Sequence, residues 1–391
     1  MKLSSVIWAA GLVLGLTGVG WTQVAKPAEK ATAHDTGPAI NAATWECTPG
    51  HKISKRRFTL DSGARRYTFL SSGCIDPSHG EERPCAEGNF GMPAPVSANW
   101  YWGGFFQVLI NGTNATAYRV QDARVIESGA RAAFQTIWAH PDATVGLRLM
   151  MLPGSNHVLA DLVWKSTQDA ALETVEVRLT CYPSFFTAAK NRVGERHCQT
   201  PRTDVAQPKT LELEPAHDTY LYYYDTVFDM ARGEGLGPCA ALVAPKGVLG
   251  GSVQVGGYAV TSLLKLKPEA AGARLAFYDF SGLTNADAEA YLKAHAAEDL
   301  ATLERTDFRP AAARDLDPEE LQAQVATLLT EAADDGDAMK PQFDELIAKA
   351  QDLKARAADG DWVAEAGLAT LLVDSADMMW KLRAFAALNA P

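Results

Sequence analysis

Between Ala132 and Tyr182 the apolar positions fall into four runs: 134–138, 144–152, 157–164 and 172–180. His140-Pro141-Asp142, Pro153-Gly154-Ser155-Asn156 and Ser166-Thr167-Gln168-Asp169 separate them. Runs of about 6–9 residues, rich in β-branched, aromatic and long aliphatic side chains and closed by such turn residues, predict an antiparallel meander of four strands. The same rhythm extends in both directions. Residues 57–60 and 66–70 flank the turn Asp61-Ser62-Gly63-Ala64 and predict a hairpin. The stretch 71–98 is irregular. Asn99 to Gly104 then leads into a strand at 105–110, and Asn111-Gly112 is a strong hairpin turn. Segments 117–120 and 124–127 carry the rhythm into the meander. A second irregular stretch covers 183–208. Strands resume at 210–213, 219–224, 239–243, 251–255, 258–264 and 274–280. About fourteen strands suit one large two-sheet antiparallel sandwich over residues 44–283, its inner faces about 10 Å apart.

The period changes after residue 283. Thr284 or Asn285 caps a helix that runs to about Thr306, with Ala288, Tyr291, Leu292, Leu300 and Leu303 on its apolar stripe. Residues 309–315 read as a linker. Asp317-Pro318-Glu319 opens a second helix with proline in its first turn. Pro341 opens a third that ends at Gly360, and 362–388 reads as a fourth. The last three, over 316–391, predict a small bundle that docks on the sandwich or on a partner chain. The expected class is therefore mainly β, a large sandwich followed by a helical region.

The first residues add a compartment. Lys2 precedes an apolar run from Val6 to Val19, with Gly18 and Gly20 at cleavage spacing. This is the layout of a secretory signal peptide over 1–20, followed by a disordered linker over 21–43. No later segment is apolar enough to span a bilayer, so the mature chain is expected to be secreted, periplasmic or on the cell surface. Six cysteines in an exported chain favour disulfides. The expected pairs are Cys74 with Cys85 and Cys181 with Cys198, each closing a short polar loop, which leaves Cys47 with Cys239.

The net charge of −11 is uneven. Residues 284–391 hold 22 acidic against 10 basic side chains, and the rest 25 against 26. No basic nucleic-acid footprint exists. No phosphate-binding loop, dinucleotide fingerprint, nucleophile elbow or zinc motif is present, so no cofactor and no metal is expected. The acid fragments Asp334 to Asp337 and Asp359 to Asp361 lack the alternating carboxylates and closing Glu of a calcium loop.

Candidate chemistry lies in two places. Trp100, Tyr101 and Trp102 offer aromatic faces on which the apolar C–H face of a pyranose can stack. The loop from Tyr182 to Cys198 adds Phe185, Arg192, Arg196 and His197, a cationic and aromatic set suited to an acidic glycan. Tyr182, His197 and Arg192 or Arg196 could also supply a base and a carboxylate-neutralising group for lyase chemistry. His140, His157 and His217 are expected in turns or at the surface.

The runs Leu149–Trp164, Gln168–Leu172 and Leu179–Pro183 resemble the galactose mutarotase-like superfamily. That resemblance implies a large sandwich with a sugar site at the strand ends. Epimerases of the superfamily use a His as acid and a later Glu as base. The corresponding stretch here, 181–186, carries no His and no Asn. The expected function is an exported, non-catalytic carbohydrate-binding protein of the cell envelope. The alternatives are a surface assembly protein that meets a protein partner, or itself, through 316–391, and a polysaccharide lyase or sugar epimerase.

Overall fold

The computed structural model describes residues 30–40, 53–74, 89–168, 171–183, 194–226 and 237–389. The signal peptide, Cys47, Cys85, Phe185 and Arg192 lie outside these residues. In chain order the strands are β1 Thr32–Ile40, β2 Ile53–Asp61, β3 Arg66–Cys74, β4 Asn89–Ala94, β5 Phe106–Ile110, β6 Thr113–Asn114, β7 Arg119–Glu127, β8 Ala132–Ala139, β9 Ala143–Met151 and β10 His157–Ser166. They continue with β11 Val175–Cys181, β12 Arg196–Gln199, β13 Asp204–Ala206, β14 Lys209–Leu213, β15 Tyr220–Asp225, β16 Cys239–Val243, β17 Val248–Val255, β18 Val260–Leu266 and β19 Gly272–Asp279. The helices are α1 Asn285–Arg305, α2 Ala311–Asp315, α3 Pro318–Glu331, α4 Ala333–Ala358, α5 Trp362–Asp374 and α6 Ala376–Asn389.

The strands form three antiparallel sheets. Nine are ordered β13-β12-β15-β16-β19-β10-β9-β8-β7, six are ordered β14-β17-β18-β11-β5-β6, and four are ordered β1-β2-β3-β4. Side chains from all three sheets share one buried cluster: Phe58 and Phe69 from the four-stranded sheet, Val108, Val177 and Leu264 from the six-stranded one, and Phe134, Leu149 and Phe277 from the nine-stranded one. Phe58 stacks on Phe134 with centroids 4.4 Å apart. The two smaller sheets thus cover one face of the large sheet, and the molecule is a mainly β sandwich followed by helices.

The other face of the large sheet is also buried. Ala133, Met150, Leu159, Leu242, Ala276 and Tyr278 pack under Ala288, Leu292, Ala296 and Leu303 of α1. Burial on both faces explains why β8 and β9 read as nearly unbroken apolar runs rather than as an alternation. Strand β11, by contrast, alternates buried and open positions. It leaves the meander and enters the six-stranded sheet between β18 and β5. Three of the four predicted meander strands therefore stay together and the fourth crosses to the opposite layer, because its single apolar face fits a sheet that is wet on one side.

Several expectations need correction. Residues 32–40, read as linker, form β1, paired with β2 from Thr32 to Ile40. The irregular stretches contain β4, β12 and β13. The helix expected to open at Pro341 starts at Ala333, whose φ of 51° marks the break from α3, so Pro341 lies inside α4. The segment read as a linker after α1 contains the short helix α2. The final helix is two, broken at Ser375.

The helices α3 to α6 share their own core, with Val325, Phe343, Ile347, Ala350, Leu368 and Leu382 at its centre. A buried polar network joins α5 to the outer face of the large sheet. Arg148 Nη1 meets Glu365 Oε2 at 2.7 Å, and both side chains are buried. Arg148 Nε donates to Gln135 Oε1 (2.8 Å), and Gln135 Nε2 donates to the Trp362 carbonyl (3.1 Å) and to Asp122 Oδ2 (3.2 Å). Arg124 Nη1 reaches Thr370 Oγ1 at 3.1 Å. The bundle is thus docked on the sandwich. Removing one member of such a pair strands a buried charge, so Arg148→Ala or Glu365→Ala is expected to cost about 3–5 kcal/mol. The double replacement Arg148→Met with Glu365→Leu is expected to recover most of that loss, read from chemical denaturation midpoints.

Candidate functional site: an aromatic rim at the strand ends

The C-terminal end of β11 and the N-terminal end of β18 meet the turn 97–104 at one end of the six-stranded sheet. The Tyr101 N–H donates to the Thr180 carbonyl (3.2 Å), the Tyr182 N–H to the Ala98 carbonyl (3.1 Å) and the Trp102 N–H to the Ser97 carbonyl (3.0 Å). Trp100 forms an isolated bridge with Cys181. The chain turns on either side of this bridge, and of the three aromatics only Trp100 is carried into the core. Trp100 points inward and is 0% exposed. Its Nε1 donates to the Tyr278 carbonyl at 2.8 Å, and its ring meets Tyr223 and Phe277 edge-on. The expectation that Trp100 stacks on a sugar is therefore corrected: it is a core residue whose one polar atom is satisfied.

Tyr101 and Trp102 stay near the surface, Trp102 with 42% exposure. Their rings lie 6.1 Å apart at 66°. Tyr101 meets Tyr182 at 5.3 Å and 72°, and Tyr182 meets Tyr258 at 5.1 Å and 73°. Each contact is edge-to-face, the arrangement that ring quadrupoles favour. Tyr258, at 54% exposure, ends the row opposite Trp102. The sequence pattern gave Tyr258 no role beyond opening a strand; only the pairing of β11 with β18, which sets Cys181 opposite Val260, brings it beside Tyr182. Burial first, then the neighbouring Tyr258 and Tyr101, pushes the Tyr182 phenol up to about 12. At neutral pH it is a hydroxyl that can donate and accept hydrogen bonds, and it is not a base. The row offers apolar ring faces edged with hydroxyl groups.

Arg196 and His197 do not converge on it. Arg196 and His197 are adjacent in β12 and so face opposite sides of the large sheet. Arg196 points into the sandwich, fully buried, with Nε 3.9 Å from Asp225 Oδ2. Burial lowers its pKa and Asp225 opposes that shift. His197 lies on the outer face, stacked on Tyr224 at 4.6 Å, its Nδ1 3.0 Å from Asp204 Oδ1. Tyr224 donates to the other oxygen of Asp204 at 2.6 Å. Of the expected cationic loop, Arg196 and His197 are thus placed on opposite faces, while Phe185 and Arg192, the other arginine of the lyase reading, lie outside the described residues.

The cysteine pairing is also corrected. Cys181, Cys198 and Cys239 are free thiols, all buried in the core, so neither Cys181 with Cys198 nor Cys47 with Cys239 is joined. The pair Cys74 with Cys85 lies outside the described side chains. His217 occupies an exposed turn as expected. His140 also lies in a turn, between β8 and β9, but is buried there, whereas His157 is buried at the start of β10 and is neither in a turn nor at the surface. His140 Nδ1 accepts from the Asp142 N–H at 3.1 Å and its ring meets Tyr118 edge-on. His157 sits beneath α1, 3.7 Å from Asp299, which accepts the Tyr278 hydroxyl at 2.6 Å.

Among the described residues no group of three or more His, Cys, Asp or Glu side chains gathers as a metal site. Asp361 caps α5 through the Val363 and Ala364 N–H groups and pairs with Arg356, and Gly360 (φ 79°) turns the chain between α4 and α5. Gly336 packs so close to α3 that a Cβ would stand 2.1 Å from the Leu329 carbonyl oxygen. The fragment 334–337 forms the first turn of α4, and the fragment 359–361 joins α4 to α5. A cleft of about 350 Å³ between sandwich and bundle is lined by Lys165, Arg356, Asp361 and Trp362, away from the aromatic row.

No known protein-family profile matches the chain, and no curated protein matches it in sequence. Partial likenesses exist among solved structures. A variant of the GH36 α-galactosidase AgaA from Geobacillus stearothermophilus, in complex with stachyose, aligns at TM-score 0.34 and 11% identity, covering 71% of this chain and 48% of that one. The galactosidase domain of the α-galactosidase–sucrose kinase AgaSK aligns at 0.32 and 10%, covering 61% and 41%. The α-N-acetylgalactosaminidase NagBb from Bifidobacterium bifidum aligns at 0.30 and 12%, covering 68% and 41%. This chain spans less than half the length of each. At such scores the likeness carries no argument about function.

Two outcomes are expected from these placements. Trp100→Ala should destabilise the fold by about 3–5 kcal/mol, while Trp102→Ala should stay within about 0.5 kcal/mol, as read by denaturant titration. Burial lowers the His157 pKa from its usual 6.5, with Asp299 opposing. Its contribution is therefore complete above pH 6.5 and is lost as the pH falls below that value. Melting temperature should begin to fall below pH 6.5, and His157→Gln should flatten that part of the profile.

Proposed function

We propose that this protein is an exported, non-catalytic carbohydrate-binding sandwich that holds a glycan on the row Trp102, Tyr101, Tyr182 and Tyr258. One observation carries the reading: four aromatic rings in continuous edge-to-face contact, with the two outer members exposed. Such rings offer flat apolar faces for the C–H side of a sugar and phenol hydroxyls for its polar rim. The resemblance to galactose mutarotase-like sandwiches is consistent with a sugar site at strand ends. With Arg196 turned inward, the described members of the row offer neutral contacts. The turning of Arg196 into the core and of His197 onto the opposite layer supports binding over the lyase reading.

A second reading is favoured by a different observation. Val373, Trp380 and Leu388, on α5 and α6, are 74%, 69% and 79% exposed. Large apolar side chains held this far into solvent mark interaction surfaces, and they fit an assembly role for the C-terminal helices.

Glycan-array binding separates the two. Binding to at least one glycan that falls about 2–10-fold in Trp102→Ala and again in Tyr258→Ala, as loss of an aromatic contact predicts, supports the first reading. No binding to any glycan, or binding unchanged in the double variant, removes it. Loss of assembly on replacing Trp380 and Leu388 with Ser, with melting temperature preserved, would support the second.

A further inference from the structure

Resting on the assembly reading of the C-terminal helices, we propose that a second copy of this chain covers their exposed apolar face, the two α6 helices lying antiparallel about a two-fold axis near Met379.

The residues of that face form one stripe across α5 and α6. Ser375, between the two helices, keeps right-handed helical angles (φ −86°, ψ −5°), and the Met379 N–H donates to its carbonyl at 2.9 Å. Val373, Trp380 and Ala387 then fall seven residues apart, the spacing that keeps an apolar coiled-coil seam on one side of a helix. Ala376 and Ala384 lie one turn to either side of Trp380, and Leu388 follows one turn after Ala384. The opposite side of the same helices, with Leu368, Leu371, Leu382 and Ala386, is buried in the bundle core. The stripe is therefore a second apolar face, and Val373, Trp380 and Leu388 hold it in solvent. A large ring flanked by alanines is a knob with hollows beside it, and a two-fold pairing fills each hollow with the other copy's knob.

Charge selects the occupant. Residues 284–391 hold 22 acidic and 10 basic side chains, which in general repel another copy. The stripe is different. Residues 370–389 carry Asp374 and Asp377 against Lys381 and Arg383, two of each sign. All four are exposed, and none makes an ion pair among the described residues. Asp377 and Lys381 lie one turn apart on the same flank of Trp380. Antiparallel helices set like flanks against each other, so an axis near Met379 brings Asp377 of each copy opposite Lys381 of the other, twice over. A parallel pairing sets each residue level with its own copy and gives no such exchange of charge.

Sedimentation of the full chain over about 1–200 μM reads the association directly. The expected result is a concentration-dependent shift from one chain to two. Asp377→Lys and Lys381→Asp, both at exposed positions, should each weaken self-association by about 10-fold or more, because each brings like charges together at both contacts. Melting temperature should stay unchanged in both. A one-to-one mixture of the two variants should associate again, since a cation then meets a carboxylate at each contact. An unaltered chain that stays single over the whole range overturns the proposal. So do variants that self-associate as tightly as the unaltered chain, and so does a mixture that stays apart. A dimer that survives replacement of Trp380 and Leu388 with Ser removes the assembly reading as well, whereas failure of the charge exchange alone removes only the antiparallel pairing proposed here.

Discussion

The structure depends on one constraint: the nine-stranded sheet is buried on both faces. Its inner face needs two smaller sheets to cover it, because neither alone is wide enough. Its outer face needs α1 at one side and the bundle at the other. Apolar burial at about 25 cal/mol per Å² supplies the driving force for both layers. The cost is that any polar group on the outer face must find a partner beneath the helices. Arg148, Gln135 and Asp122 do so through Glu365 and the Trp362 carbonyl, which makes the bundle's docking geometry specific rather than merely greasy.

The same two-sided burial decides where chemistry can be exposed. Ring-bearing and charged residues near the strand ends are dealt alternately to interior and surface. Trp100 and Arg196 go inward; Tyr101 and His197 go outward, and to different layers of the molecule. Beside the end of β11 the surface carries the aromatic row Trp102, Tyr101, Tyr182 and Tyr258, while charged side chains such as Arg178 and Lys265 lie further along the same sheet.

Interior polar groups at this end are few and closely accommodated. The Trp100 indole N–H is taken up by the Tyr278 carbonyl, and Tyr223 shares a hydrogen bond with Ser262 at 2.7 Å. Asp279 is fully buried, with the Ser281 N–H donating to it and Arg65 3.4 Å away, and burial still raises its pKa. The free thiols of Cys181, Cys198 and Cys239 occupy the same region, so the two layers meet here through soft and polar atoms as well as through hydrocarbon.

The sequence by itself determined the secondary structure of the middle of the chain, because strand period, turn residues and helix caps are local properties. The runs at 134–138, 144–152 and 157–164 became β8, β9 and β10; Asn111-Gly112 became the β5–β6 hairpin turn; and Thr284 capped α1 through the Asp287 N–H. It also carried the change from strand to helix near residue 284. Short strands such as β12 and β13 were illegible, since four or three residues hold too little pattern. Pairing partners, the side each residue faces and the layer each strand joins were settled only by the tertiary structure. Nothing in the local pattern distinguishes Trp100 from Trp102, or sets Tyr258 beside Tyr182; those depend on hydrogen bonds between segments about 75–80 residues apart, formed when the two layers close over a common core.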